Sequence, residues 1–197
     1  MTTRYEIRLA GSGGQGLILA GIILAEAAGI YDGKFVCQHQ SYGSEARGGA
    51  SKSEIVISDE EIDYPKAINP DVFLAMNQKS LDTYISDLKP GGMLIIDSSL
   101  VREVPSTQAV AIPFTQIARQ ELGKTIVANI VALGALIALT DAVTFTSLEA
   151  AVLNRVPPAT KELNQKALEA GVVAARQYLS GKRETLLSPS SVINTEG

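Results

Sequence analysis

The 197 residues carry a net charge of −4 with no block of Lys and Arg, which argues against nucleic acid as the main partner. The hydrophobic fraction of 46% suffices for a core, but aromatics are only 5% and Trp is absent, so Ala, Val, Ile and Leu supply the packing. One cysteine, Cys37, rules out an internal disulfide, a cysteine-only metal site and sole possession of an iron–sulfur cluster. The first residues show no signal-peptide pattern. The apolar segments 17–28 and 126–139 fall short of the about 18 residues a membrane span needs, and Glu26 and Asn129 interrupt them. A soluble, cytoplasmic chain is expected.

The apolar run 5–10 reads as a strand and 17–28 as a helix, joined by Gly11-Ser12-Gly13-Gly14-Gln15-Gly16. In such a strand–turn–helix the glycines permit a tight turn, close ligand approach and close helix–strand packing. The helix then directs its unpaired N–H groups and positive dipole end above the turn, where an anion fits. A turn that is glycine-rich only for packing remains open. Gly29 and Asp32-Gly33 mark a stop and a turn, and 35–37 reads as a short buried strand. A dinucleotide-binding dehydrogenase wants an acidic residue at the end of this strand. The chain offers Gln38, His39 and Gln40 there, and Asp32 comes too early.

The next stretch, Ser41-Tyr42-Gly43-Ser44-Glu45-Ala46-Arg47-Gly48-Gly49, combines glycines, hydroxyls and one arginine. Arg47 either presents its planar fork to a phosphate or carboxylate, or pairs with Glu45 in a solvated loop. Residues 51–58 continue as a strand, and 62–65 are expected to pair briefly at an edge. Residues 71–77 and 93–97 read as strands buried on both faces. Between them, Leu81, Tyr84, Ile85 and Leu88 place a helix over 78–88. One more strand at 109–113 precedes a helix at 114–122. Asn77 and Asp97-Ser98-Ser99 lie just past strand ends, where they either line a ligand crevice or cap the following helices.

Segment 126–139 is apolar nearly all round, so it is expected to be buried, with Asn129 meeting a neighbouring backbone group or the glycine turn. Thr146-Ser147-Leu148-Glu149 resembles a capping box. A last helix covers 160–179, and from Ser180 the chain turns polar. The sum is an α/β chain: a Rossmann-like three-layer fold with a mostly parallel sheet and helices on both faces. Residues 1–180 form the domain and 181–197 a tail, flexible or wrapped on a partner. Cys37 reads as a small core residue and His39 lacks ligand-spaced partners. No nucleophile–base–acid constellation is visible, so no catalytic residue is named and no metal site is expected.

Taken together, the Gly11 to Gly16 motif, the Ser41 to Gly49 loop and the Asn129 helix resemble the gamma subunit, or catalytic domain, of 2-oxoacid:ferredoxin oxidoreductases, closest to the 2-oxoglutarate type. The resemblance spans roughly residues 4–178. It implies one part of a multi-subunit, hetero-oligomeric oxidoreductase that decarboxylates a 2-oxoacid, makes acyl-coenzyme A and reduces ferredoxin. Thiamine diphosphate, magnesium and iron–sulfur clusters are then expected in partner subunits, with alpha, beta and a possible delta chain as partners. The chain by itself is expected to be inactive, to hold no cofactor tightly and to be capable of self-association. A coenzyme A-facing surface would draw on Gly11, Gly13, Gly14, Gln15, Gly16, Ser41, Ser44, Arg47, Gly48 and Asn129. Two other readings stand beside this one: a scaffold subunit that binds nothing, and a nucleotide-dependent oxidoreductase.

Overall fold

In the computed structural model, which describes residues 4–41, 50–105 and 108–187, six strands form one sheet. They are β1 (Tyr5–Ser12), β2 (Phe35–Ser41), β3 (Ala50–Ser58), β4 (Val72–Ala75), β5 (Met93–Asp97) and β6 (Val110–Ile112). Their order is β2-β3-β1-β4-β5-β6. β1, β4, β5 and β6 run parallel, while β3 lies antiparallel between β1 and β2. The reason is connection length. Residues 42–49 are too few for a crossover of a dozen or more residues, so β2 and β3 pair as neighbours. β3 then takes the edge of β1 that the second strand of a dinucleotide-binding fold would take.

The helices are α1 (Leu17–Glu26), α2 (Gln78–Tyr84), α3 (Phe114–Gln120), α4 (Ala128–Thr140), α5 (Phe145–Arg155) and α6 (Lys161–Leu187). One sheet face, carrying Ile7, Leu9, Ile55, Leu74 and Ile95, shares a large core with α1 and α3–α6. The other face, carrying Ala10, Phe73, Leu94 and Ile96, is covered by Leu81 of α2 and by Val101. Apolar residues on both faces of β4 and β5 follow from this double cover. α4 is apolar all round because α6 lies on its outer side. The two helices approach so closely that a Cβ at Gly171 would lie 1.9 Å from the Val131 carbonyl oxygen, and one at Gly134 2.1 Å from that of Leu168.

Several expected boundaries are corrected. β2 is an edge strand rather than a buried one; Phe35 is 51% exposed and Cys37 half-buried. Gly29 does not stop α1, which continues through a π-helical turn, Ala27–Tyr31. Residues 62–65 form no strand. α2 is shorter than expected and passes into a 3-10 turn, Ile85–Asp87. α5 begins two residues earlier than its capping pattern suggests. Thr144, not Thr146, accepts the Ser147 N–H at 3.2 Å, and the Asp32 carboxylate accepts the Thr144 N–H at 2.9 Å from the far end of the π-helical turn. α6 runs to Leu187, beyond the boundary placed at 180; residues 188–197 lie outside the described part.

Candidate functional site

β1 delivers the chain to Ser12 and α1 starts at Leu17, so Gly13 to Gly16 make an arch at the carboxyl end of the parallel strands. Gly14 (φ +91°) and Gly16 (φ +73°) take backbone conformations that favour glycine. The four glycines divide by what surrounds them. A Cβ at Gly11 would lie 2.6 Å from Gln15 Oε1 and 2.9 Å from Leu17 Cδ2; one at Gly16 would lie 2.5 Å from Asn129 Nδ2. At Gly13 and Gly14 a Cβ would meet no described atom within 4 Å, and both residues are exposed.

Polar side chains brace this arch. Gln15 Oε1 accepts the Ser12 N–H at 2.6 Å, and Gln15 Nε2 donates to the Met76 carbonyl at 3.2 Å, just past β4. Asn77 Nδ2 donates to Ser12 Oγ and, at 3.3 Å, to Gln15 Oε1, while its Oδ1 accepts the Ser80 N–H and caps α2. Asn129, buried in the first turn of α4, donates from Nδ2 to the Gly16 carbonyl at 3.1 Å. The expectation that Asn129 meets the glycine turn is therefore met. Asn77 both caps a helix and touches the loop. Asp97 is wholly buried and accepts the Ser99 and Thr115 N–H groups at 2.9 and 3.1 Å, so it anchors α3 rather than facing a crevice.

Two hollows flank the arch. One, about 350 Å³, is lined by Gly14, Gln15, Met76, Thr115, Arg119 and Thr125. The other, about 310 Å³, is lined by Gly14, Gly16, Leu19, Lys124, Asn129 and Leu163. Ile126, 72% exposed, borders both. The starts of α1 and α4 converge here. Neither has a side-chain cap at its N-cap position nor an acidic residue in its first turn. Their positive dipole ends add to the charges of Arg119 and Lys124, and the combined field favours an anion.

Of the expected site residues, Gly11, Gly13, Gly14, Gln15, Gly16 and Asn129 come together here. Ser41 is the last residue of β2 and pairs with Lys52, which pairs in turn with Ala10. It therefore stands two strands from β1, about 10 Å across the sheet. Ser44, Arg47 and Gly48 lie outside the described residues. The flanking residue Ala50 pairs directly with Ser12. His39 and Cys37 lie on the same outer strand, away from the arch. Among the described residues no group of three His, Cys, Asp or Glu is placed to hold a metal ion, and no helix is long and apolar enough to cross a membrane.

Arg119 and Lys124 escaped sequence reasoning because more than 100 residues separate them from the arch. One signal was available for Lys124. A lysine just ahead of a helix start opposes the macrodipole, which invites an anion between them.

Residues 6–174 match the pyruvate ferredoxin/flavodoxin oxidoreductase family. The chain is 51% identical over 178 residues to the 2-oxoglutarate synthase subunit KorC of Methanocaldococcus jannaschii, covering 88% of this chain and 95% of that one. The crystal structure of a keto/oxoacid ferredoxin oxidoreductase gamma subunit from Geobacter sulfurreducens superposes with a TM-score of 0.81 at 51% identity, over 89% of this chain and 98% of that one. A 2-oxoglutarate:ferredoxin oxidoreductase from Magnetococcus marinus, solved with 2-oxoglutarate, coenzyme A and succinyl-CoA bound, superposes with a TM-score of 0.80 at 26% identity. That match covers 90% of this chain and 32% of the other.

Proposed function

This chain belongs to the pyruvate ferredoxin/flavodoxin oxidoreductase family, as the gamma subunit of a multi-subunit 2-oxoacid:ferredoxin oxidoreductase, and we propose that within the complex it supplies a coenzyme A-facing surface. The 2-oxoacid is 2-oxoglutarate, the compound its KorC relatives are named for. Alpha and beta subunits, with a possible delta, complete the enzyme in the cytoplasm, and the chain alone is inactive.

One observation carries the coenzyme A reading: two helix starts without side-chain caps converge with Arg119 and Lys124 on an exposed glycine arch. Coenzyme A bears a diphosphate and a 3′-phosphate, and these suit backbone N–H groups and cations. Gly13 and Gly14 present the backbone, Arg119 and Lys124 the charge, and Arg47 a further guanidinium. The thiol of coenzyme A accepts the acyl group in the complex; this chain's part is to hold and orient the phosphates. Thiamine diphosphate, magnesium and the iron–sulfur clusters belong to partner subunits. Cys37 is the sole thiolate available here, where a cluster wants four. The dinucleotide reading fits poorly, since antiparallel β3 occupies the place beside β1 where a ribose-binding acid would stand.

The test is kinetic and uses the assembled complex. Arg119→Ala and Lys124→Ala are each expected to raise the KM for coenzyme A about 5-fold, the size of one partly exposed charge-assisted contact. The kcat and the KM for 2-oxoglutarate should stay within twofold. An unchanged KM for coenzyme A in the double variant, with assembly intact, discards the surface and leaves a scaffold subunit.

A further inference from the structure

We infer that Gln15 and Asn129 are positioning residues: they hold the Gly13–Gly14 arch in the shape its anionic ligand requires, and their polar atoms face the protein. This rests on the coenzyme A reading above and deepens it. The division among the glycines is the starting point. Gly11 and Gly16 are small because Gln15 Oε1 and Asn129 Nδ2 occupy the space where a Cβ would project. Gly13 and Gly14 have no such neighbour among the described residues. The motif therefore joins two packing glycines, each matched to an amide, with two open ones available to an occupant.

Each amide links two elements that must stay in register. Gln15 has an N–H donor on one side, at Ser12, and a carbonyl acceptor on the other, at Met76. That pair fixes which way its carboxamide points and ties the end of β1 to the end of β4. Asn129 donates to the Gly16 carbonyl, which also accepts the Ala20 N–H at 2.9 Å in the first turn of α1. The start of α4 is thereby fastened to the start of α1. Without these struts the two helix dipoles need not aim at one point, and the arch need not present its N–H groups outward.

The chemistry of Gln15 gives a specific test. Gln15→Glu keeps the acceptor for Ser12 but loses the donor to Met76 and sets a negative charge against that carbonyl. Protonation of the new carboxyl restores the donor. In the assembled complex Gln15→Glu should raise the KM for coenzyme A at least 10-fold near pH 8 while kcat stays within twofold. The gap should narrow below pH 6. Gln15→Ala and Asn129→Ala should raise the KM about 5-fold at every pH. In the isolated full chain, amide hydrogen exchange should be at least tenfold faster at the N–H of position 15, which the Ser12 carbonyl accepts, in both Gln15 variants and at the Ala20 N–H in Asn129→Ala, with the α4–α6 core unchanged.

Arg119→Ala, measured alongside, separates two failures. If it raises the KM while Gln15→Glu does not, the positioning role is overturned and the coenzyme A surface stands. If neither raises the KM, the coenzyme A reading is overturned instead, and the exchange data decide the struts. Faster exchange upholds them as shaping the arch; unchanged exchange overturns them too.

Discussion

At the start of α2 the Asn77 carboxamide accepts the Ser80 N–H at 2.8 Å, and at the start of α5 the Thr144 hydroxyl accepts that of Ser147 at 3.2 Å. At α3, Asp97 and Ser99 take the Thr115 and Gln116 N–H groups, both at 3.1 Å. The starts of α1 and α4 differ. No side chain caps α1, and at α4 the one first-turn N–H met by a side chain is that of Ile130, 3.0 Å from Asn129 Oδ1. All five helices have the same orphan donors, so the difference lies in what the sequence supplies to them. At α2, α3 and α5 a Thr, Asn, Asp or Ser is present, and Asn77 of α2 also reaches the arch. At α1 no side chain meets the first-turn donors, while at α4 the Thr125 carbonyl takes the Ala128 N–H and Asn129 the Ile130 N–H.

The largest test of this contrast disturbs the placement of α4. Gly171→Ala forces its Cβ into the Val131 carbonyl, where backbone must move, and should cost about 3 kcal/mol in urea unfolding. Because α4 carries Asn129, the KM for coenzyme A should rise as well; a stable variant with unaltered KM would separate helix placement from binding.

A smaller effect is expected at a capped helix. Thr144→Ala removes the α5 cap and should cost about 1 kcal/mol of stability. The KM for coenzyme A should not change, since that helix start is away from the arch. A change in KM would break the contrast between capped and uncapped starts.

The smallest effect is in acid. Burial by itself would raise the pKa of Asp32, but hydrogen bonds from the Ser147 hydroxyl and from the Thr144 N–H and hydroxyl, with the Lys34 charge, outweigh it. The carboxyl is held below its ordinary value of 3.8. A depressed carboxyl contributes stability that is present above that ordinary value and is lost as pH falls through the folded-state pKa. Below pH 4 the wild type should therefore lose stability more steeply than Asp32→Asn in urea titrations. Parallel acid limbs would remove Asp32 as the anchor of α5.

The strand–glycine–helix order, the buried runs at β4 and β5 and the nearly all-apolar α4 were legible in the sequence. Each depends on local periodicity or on a glycine's backbone freedom, and both are written in a few consecutive residues. The glycine motif also marked the turn that forms the candidate site, because a strand feeding a helix through such a turn leaves few geometries open. The partners were not legible. The placement of β3 between β1 and β2, the grip of Asp32 on Thr144, and the arrival of Arg119 and Lys124 beside Gly14 join residues far apart in the chain. Gln15 and Asn129 show the limit most clearly. For Asn129 the amide's need for a partner was visible, but the inward direction of both amides is set by Met76 and Gly16, which only the packed fold brings within reach.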